Sequence, residues 1–131
     1  MIMSLRVGTN DLARARAFYD ATFGALGGGD PIMIEGAPLA LYKLPEGPAF
    51  LVGPAADGEP ATHGNGGTTL LIAQDAAAVD AWHAAGMANG GRCEGQPGPR
   101  PLAGGCYGAY LRDPDGNKFG CYVGNLFTHM L

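Results

Sequence analysis

The sequence predicts an α+β protein built from two tandem βαβββ modules, and three observations carry that expectation. The first is a repeated turn. Leu44-Pro45-Glu46-Gly47-Pro48-Ala49-Phe50 has the same shape as Asp113-Pro114-Asp115-Gly116-Asn117-Lys118-Phe119, with Pro45, Gly47 and Phe50 each 69 residues before Pro114, Gly116 and Phe119. The second is a repeated helix start: Asp11 and Asp75 lie 64 residues apart, as do Phe18 and Trp82. The third is a repeated helix stop, Gly24 with Gly27-Gly28-Gly29 in the first half and Gly90-Gly91 in the second. A single such unit leaves one sheet face bare, so two units bury those faces against each other or enclose a cleft.

The elements follow in order. Met1–Thr9 alternates Leu5 and Val7 with Ser4, Arg6 and Gly8, as a half-buried strand does. Asn10-Asp11 supplies an N-cap, because a short carboxylate accepts from the free amides of a first helical turn. Leu12, Ala15, Phe18, Tyr19, Thr22 and Phe23 then recur at helical spacing, one apolar stripe of a helix that runs to about Phe23. Pro31–Glu35, Leu39–Lys43 and Phe50–Val52 are short strands that complete module one, residues 1 to about 53. Pro54–Gly66 offers little to bury and reads as a connector.

Module two, about residues 67–124, restarts with a strand at Gly67–Ala73, a cap at Asp75 and a helical stripe of Val79, Trp82, His83, Gly86 and Met87. Arg92–Glu94 is a weak strand and Gln96–Gly105 a loop rich in Pro and Gly. Tyr107–Arg112 and Asn117–Val123 form a hairpin about Asp113-Pro114-Asp115-Gly116, where Pro pre-sets φ, Asp bonds its own backbone and Gly accepts positive φ. The repeat offset grows from 64 to 69 across the loop, so module two carries about five extra residues there.

Composition narrows the function. The 131 residues fit a single domain, and 47% apolar content supplies a core. A net charge of −4 without any basic cluster argues against a nucleic-acid partner. Cys93, Cys106 and Cys121 are odd in number and lack C-x-x-C spacing, so neither a disulfide framework nor a structural zinc site is expected. No apolar run approaches membrane-spanning length, and the N-terminus has no charged segment leading into an apolar one. A soluble cytoplasmic protein with a small-molecule partner, and no membrane partner, is the expectation. Gly27-Gly28-Gly29 does not open a helix, which removes a dinucleotide fingerprint.

The Asn10-Asp11-Leu12 helix opening with Phe18-Tyr19, the Gly90-Gly91 stop and the Arg112-Asp113-Pro114-Asp115-Gly116-Asn117-Lys118 turn occur in that order. In this arrangement nearly the whole chain resembles the vicinal oxygen chelate superfamily, the group of glyoxalase I, bleomycin-resistance proteins and extradiol dioxygenases. The resemblance implies the glyoxalase/bleomycin-resistance fold, with the two modules forming a cupped mixed sheet. It also implies, for the family's enzymes, a divalent metal held by His, Gln or Glu from the first and last strand of each module, polarising vicinal oxygens of the substrate. Those positions fall at Ser4, Leu51, Thr68 and Gly120. Leu and Gly bring no donor, and neutral hydroxyls are poor ligands beside imidazole and carboxylate. A slip of one residue adds only the thiol of Cys121. No metal and no cofactor is therefore expected, and no catalytic residue is assigned.

If Ser4 and Gly120 look into the cup, alternation places Arg6, Gly8, Lys118, Tyr122, Leu51, Thr68, Leu70 and Ile72 on the same side. Leu5, Val7, Phe50, Val52, Leu71, Phe119 and Cys121 then face the helices. Arg6 on a half-buried face needs a partner, either a carboxylate such as Glu35 or Glu94 or an anionic ligand. Tyr107 and Tyr110 stand on opposite faces of one strand, so at most one reaches the cup. Arg100, after Pro97-Gly98-Pro99, resembles a loop Arg of one bacterial branch of the family and would guard the cleft mouth.

The expected ligand-binding set is Arg6, Lys118, Tyr122, Thr68, Ser4, Tyr107 and Arg100, holding a small organic molecule, either neutral or anionic. Two alternatives stand beside it. One is a metal-dependent lyase, isomerase or dioxygenase, lactoylglutathione-lyase-like or dioxygenase-like, with a divalent ion on relocated ligands such as His63 or Cys121. The other is a dimeric antibiotic-sequestering binder. A homodimer is expected. Cys106, beside Gly104-Gly105, is a reactive thiol only if its pKa is lowered. His83 reads as a core or interface residue, and His129 lies near the terminus.

Overall fold

The structure, a computed structural model, describes residues 1–128; His129 lies outside them. Module one consists of β1 (Ser4–Gly8), α1 (Leu12–Ala25), β2 (Ile32–Met33), β3 (Ala40–Tyr42) and β4 (Ala49–Gly53). Module two consists of β5 (Thr69–Ala73), α2 (Ala76–Ala88), β6 (Arg92–Pro99), β7 (Tyr107–Arg112) and β8 (Lys118–Val123). The strand orders, β1-β4-β3-β2 and β5-β8-β7-β6, are one topology built twice. In each sheet the first strand runs parallel to the last, with Arg6 opposite Leu51 and Leu70 opposite Gly120, and the other pairings are antiparallel. The two sheets stay separate, leaving β1 and β5 as edges.

Both helices begin as their caps dictate. Asp11 accepts from the Arg14 amide at 3.0 Å and Asp75 from the Ala78 amide at 2.8 Å. The two helices pack directly on each other, and their stripes meet the inner faces of both sheets. Phe50 of β4 and Phe119 of β8 approach to 5.7 Å between ring centroids, and Tyr19 of α1 touches both. Trp82, Val79, Val52, Leu111 and Cys121 extend the same core. Each large side chain buried there contributes on the order of 1.5–3 kcal/mol.

Some boundaries differ from the sequence reading. The stretch 96–105, expected as a loop, remains strand as far as Pro99, because Gly98 and Pro99 pair with Gly108 and Tyr107. Register shifts between Cys93 and Gly95 and between Gly95 and Gly98 each take up one extra residue on β6. β6 is an edge strand, where a proline's missing N–H removes no ladder bond. Only the segment after it turns, through a short 3-10 segment at Pro101–Ala103. β1 starts at Ser4 and β5 at Thr69, so Thr68 sits just ahead of its strand. No helix among the described residues is long and apolar enough to cross a membrane.

The turn in module two ties the halves together. Asp113, buried at 4% exposure, accepts from the amides of Asp115 and Asn117 at 2.9 and 2.8 Å, from the Asn117 side chain at 2.8 Å, and from the Tyr19 hydroxyl of α1. Asp115 reaches the β1–α1 junction, accepting from Thr9 Oγ1 at 2.5 Å, the Asn10 amide at 3.0 Å and Arg14 Nη2 at 3.0 Å. Asn117 Nδ2 donates to the Gly8 carbonyl at 3.2 Å. Burial and the neighbouring Asp113 carboxylate hold the Tyr19 phenol well above its ordinary pKa.

Candidate functional site

The outer face of the module-two sheet gathers the chemistry-bearing side chains. Hairpin register fixes it: Tyr110 lies opposite Gly120, and Gly108 opposite Tyr122. Each tyrosine ring leans across the glycine facing it. A Cβ on Gly120 would stand 2.6 Å from Tyr110 Cε1 and from Leu70 Cδ2, and one on Gly108 would stand 2.5 Å from the Tyr122 ring. Only glycine fits at either position without displacing the rings. The two rings meet edge to face at 5.7 Å, and their hydroxyls are 2.6 Å apart. Whichever hydroxyl donates, the proton of the other is free for a ligand. Burial, with the hydrogen bond to Tyr110 second, pushes the Tyr122 phenol up to about 12, so it acts as a donor and not as a base at neutral pH.

Cations surround the pair. Lys118 Nζ lies 5.3 Å from the centre of the Tyr110 ring and the Arg100 guanidinium 5.9 Å from it. Arg112 is neutralised by Glu94 at 2.6 Å, and that hydrogen bond holds the Glu94 carboxyl below its ordinary range. Arg100 donates to the Gln96 carbonyl at 2.5 Å. Among the described residues, neither Arg100 nor Lys118 has a carboxylate partner. Among the described residues the face thus offers two cations with no carboxylate in contact and a phenolic proton, with Leu70 as apolar surface.

The expected set divides between the modules. Lys118, Tyr122 and Arg100 come together around Tyr110, and Lys118 and Thr68 also line a cavity of about 290 Å³. Tyr107 goes to the other face, where its hydroxyl donates to Asp80 of α2 at 2.5 Å; Tyr110 is the tyrosine of that strand on the outer face. Arg6 is exposed on β1 and donates to the Pro54 carbonyl at 2.6 Å, so its partner is a backbone oxygen and neither Glu35 nor Glu94. Ser4 is exposed at the start of the same edge strand. Tyr110 could have been found from sequence, since residues facing each other in a hairpin share a face and the turn centred on Asp115 pairs position 110 with position 120. A larger cavity of about 520 Å³ opens between the modules, lined by Leu5, Phe23, Leu44, Pro45 and Leu71.

A divalent metal of the family's kind would need donors at four positions. The four carried-over positions hold Ser4, Leu51, Thr68 and Gly120, and the space beside Gly120 is taken by Tyr110 and Leu70. His63 lies against Gly116 of the turn, while Cys121 is fully buried, its thiol pushed up to about 12 by desolvation. Among the described residues no three His, Cys, Asp or Glu side chains are grouped to hold an ion. This donor set does not fit a divalent metal.

Comparison with known proteins agrees with this architecture. The family model described as Glyoxalase/Bleomycin resistance protein/Dioxygenase superfamily matches residues 2–120. A glyoxalase/bleomycin resistance protein from Albidiferax ferrireducens is similar at 44% identity and a TM-score of 0.86, over 95% of this chain and 99% of its own. A lactoylglutathione lyase from Agrobacterium tumefaciens is similar at 26% identity and a TM-score of 0.67, over 98% and 96%. A glyoxalase-related enzyme from Fulvimarina pelagi, 18% identical with a TM-score of 0.76 over 95% and 88%, shares the fold. None of the curated proteins matches the sequence. The chain belongs to the glyoxalase/bleomycin resistance protein/dioxygenase superfamily.

Proposed function

We propose that this protein binds a small organic anion on the outer face of module two, without a metal. The observation that supports the reading is the pair of cations lacking carboxylate partners, Lys118 and Arg100, set around Tyr110 beside a free phenolic proton. A carboxylate would take the Lys118 ammonium and that phenolic proton as charge-assisted hydrogen bonds, and its organic part would lie on Leu70. Thr68 would approach from the Lys118 side.

A homodimer is part of the proposal. β1 and β5 are open edges, and Met3, Leu5, Leu70 and Ile72 are exposed on or beside them. Bare apolar edges call for cover. A second copy laid along these edges would bring its Ser4 and Arg6 toward the same ligand. Three free thiols suit a reducing compartment, in keeping with a cytoplasmic protein. Among the described residues no donor set favours the metal-dependent lyase, isomerase or dioxygenase reading. An antibiotic-sequestering dimer would use the same edges with a larger apolar ligand.

A melting screen over small carboxylates tests the reading. A true ligand at a hundredfold excess over its Kd adds about 2.7 kcal/mol of stability, roughly 10 °C in Tm for a chain of this size. The shift should persist in EDTA, disappear in Lys118→Met and shrink in Arg6→Ala. A shift that needs added metal, or that survives in Lys118→Met, would overturn it. Light scattering that finds only monomers at high concentration would remove the dimer and the groove it creates.

A further inference from the structure

On the opposite side of module two a second cluster stands apart from the binding face. His83 of α2 and Cys93 of β6 are ten residues apart in sequence, and Nε2 lies 3.2 Å from Sγ. Cys93 pairs with the buried Leu111 across the β6–β7 ladder, on the helix side of the sheet, whereas Tyr110 faces outward. His83 is 6% exposed, and Cys93 is half-buried. One turn earlier on α2, Asp80 is held in place by the Tyr107 hydroxyl at 2.5 Å. The duplication provides a control: position 19, which is 64 residues before His83, carries a tyrosine that bonds to Asp113. The scaffold therefore does not require an imidazole at this place.

We propose that Cys93 and His83 form a base-assisted thiol site that reacts with small hydroperoxides. Burial lowers the His83 pKa, with Asp80 acting in the opposite direction, so the imidazole is neutral at pH 7 and able to take a proton. The Cys93 thiol proton passes to Nε2, and the Asp80 carboxylate favours the imidazolium that forms. The thiolate attacks the terminal peroxide oxygen and an S–O bond forms as the O–O bond breaks. The departing oxygen takes the proton back from His83. The sulfur is oxidised by two electrons to sulfenic acid, and the peroxide is reduced to water or an alcohol.

The other two cysteines serve as internal references. Cys106 is half-buried like Cys93, but its thiol makes no side-chain hydrogen bond among the described residues. Cys121 is fully buried, and its modification would report unfolding. The full chain is reduced, treated with hydrogen peroxide at pH 7 in the presence of dimedone, and the adducts are mapped by peptide mass spectrometry. Cys93 should be captured about tenfold faster than Cys106, and His83→Gln should slow Cys93 to the Cys106 rate while Cys106 is unchanged. Equal rates for Cys93 and Cys106 in the wild-type protein, or an undiminished Cys93 rate in a folded His83→Gln, would overturn the proposal. If His83→Gln exposes Cys121, the wild-type comparison of Cys93 with Cys106 decides alone. A carboxylate ligand of the other face plays no part in the assay, so this outcome is independent of that reading.

Discussion

The two copies of the repeated turn have taken opposite courses. In module two, Asp113, Asp115 and Asn117 use their side chains to hold Thr9, Asn10, Arg14, Tyr19 and the Gly8 carbonyl. In module one, Leu44, Glu46 and Pro48 stand where those polar residues would, and they line the open cavity of about 520 Å³. A duplicated scaffold needs only one clamp between its halves. Once module two supplies it, the turn of module one is free to carry Leu44 and Pro48 in place of Asp113 and Asn117, and its remaining carboxylate, Glu46, is exposed. The same divergence separates the two outer faces: module two gathers Tyr110, Tyr122, Lys118 and Arg100, while module one presents Arg6 tied to the Pro54 carbonyl of the connector.

The largest effect should come from breaking the clamp. Asp113→Ala leaves the buried Tyr19 hydroxyl and the part-buried donors of Asp115 and Asn117 without an acceptor and should cost about 3–5 kcal/mol in chemical denaturation. Leu44→Ala, the matched change in module one, trims a half-buried side chain at a cavity wall and should cost about 1 kcal/mol. Similar losses at the two positions would contradict the asymmetry.

The paired glycines sharpen it. Gly116 and Gly47 both have positive φ, 92° and 118°, but a Cβ on Gly116 would stand 2.5 Å from His63 Nδ1 and one on Gly47 would meet nothing within 4 Å. Gly47→Ala should cost about 1 kcal/mol from backbone strain and Gly116→Ala about 2 kcal/mol. Adding His63→Ala to Gly116→Ala should recover the difference between them. If it recovers nothing, the ring contact is unimportant.

Much of this was legible in the sequence. Caps at Asp11 and Asp75, the stripes through Tyr19 and Trp82 and the 64-residue offset give the doubled topology, because those signals are local. The inner and outer faces of β1, β4, β5 and β8 follow from simple alternation. What alternation alone could not resolve was β6, where register shifts around Gly95 break the period, and with it the position of Cys93 beside His83. Nor could it find a partner for Arg6, since the Pro54 carbonyl is 48 residues away in sequence and has no side-chain signature. The clamp was recognisable as a turn but not as a tie, because Thr9 and Asp115 meet only once both modules have folded.

The smallest effects are set by pH, again at matched positions. The His83 pKa is lowered, so its contribution to stability is complete above about pH 6.5 and is lost as pH falls toward its folded value. The Tyr19 pKa is raised, so its contribution is complete below about pH 10 and is lost at higher pH. Urea titrations across pH should therefore reveal an acid limb that flattens in His83→Gln and an alkaline limb that flattens in Tyr19→Phe. An acid limb unchanged in His83→Gln would contradict the assignment.

The central claim is that module two binds an organic anion at its tyrosine pair. The sequence contains five tyrosines, at 19, 42, 107, 110 and 122, and these report on distinct places. In a benzoate titration followed by NMR of ring-labelled tyrosine, with EDTA present, Tyr110 and Tyr122 should shift saturably while Tyr19 and Tyr42 stay fixed. A titration in which Tyr110 and Tyr122 stay still while another tyrosine shifts would contradict the claim.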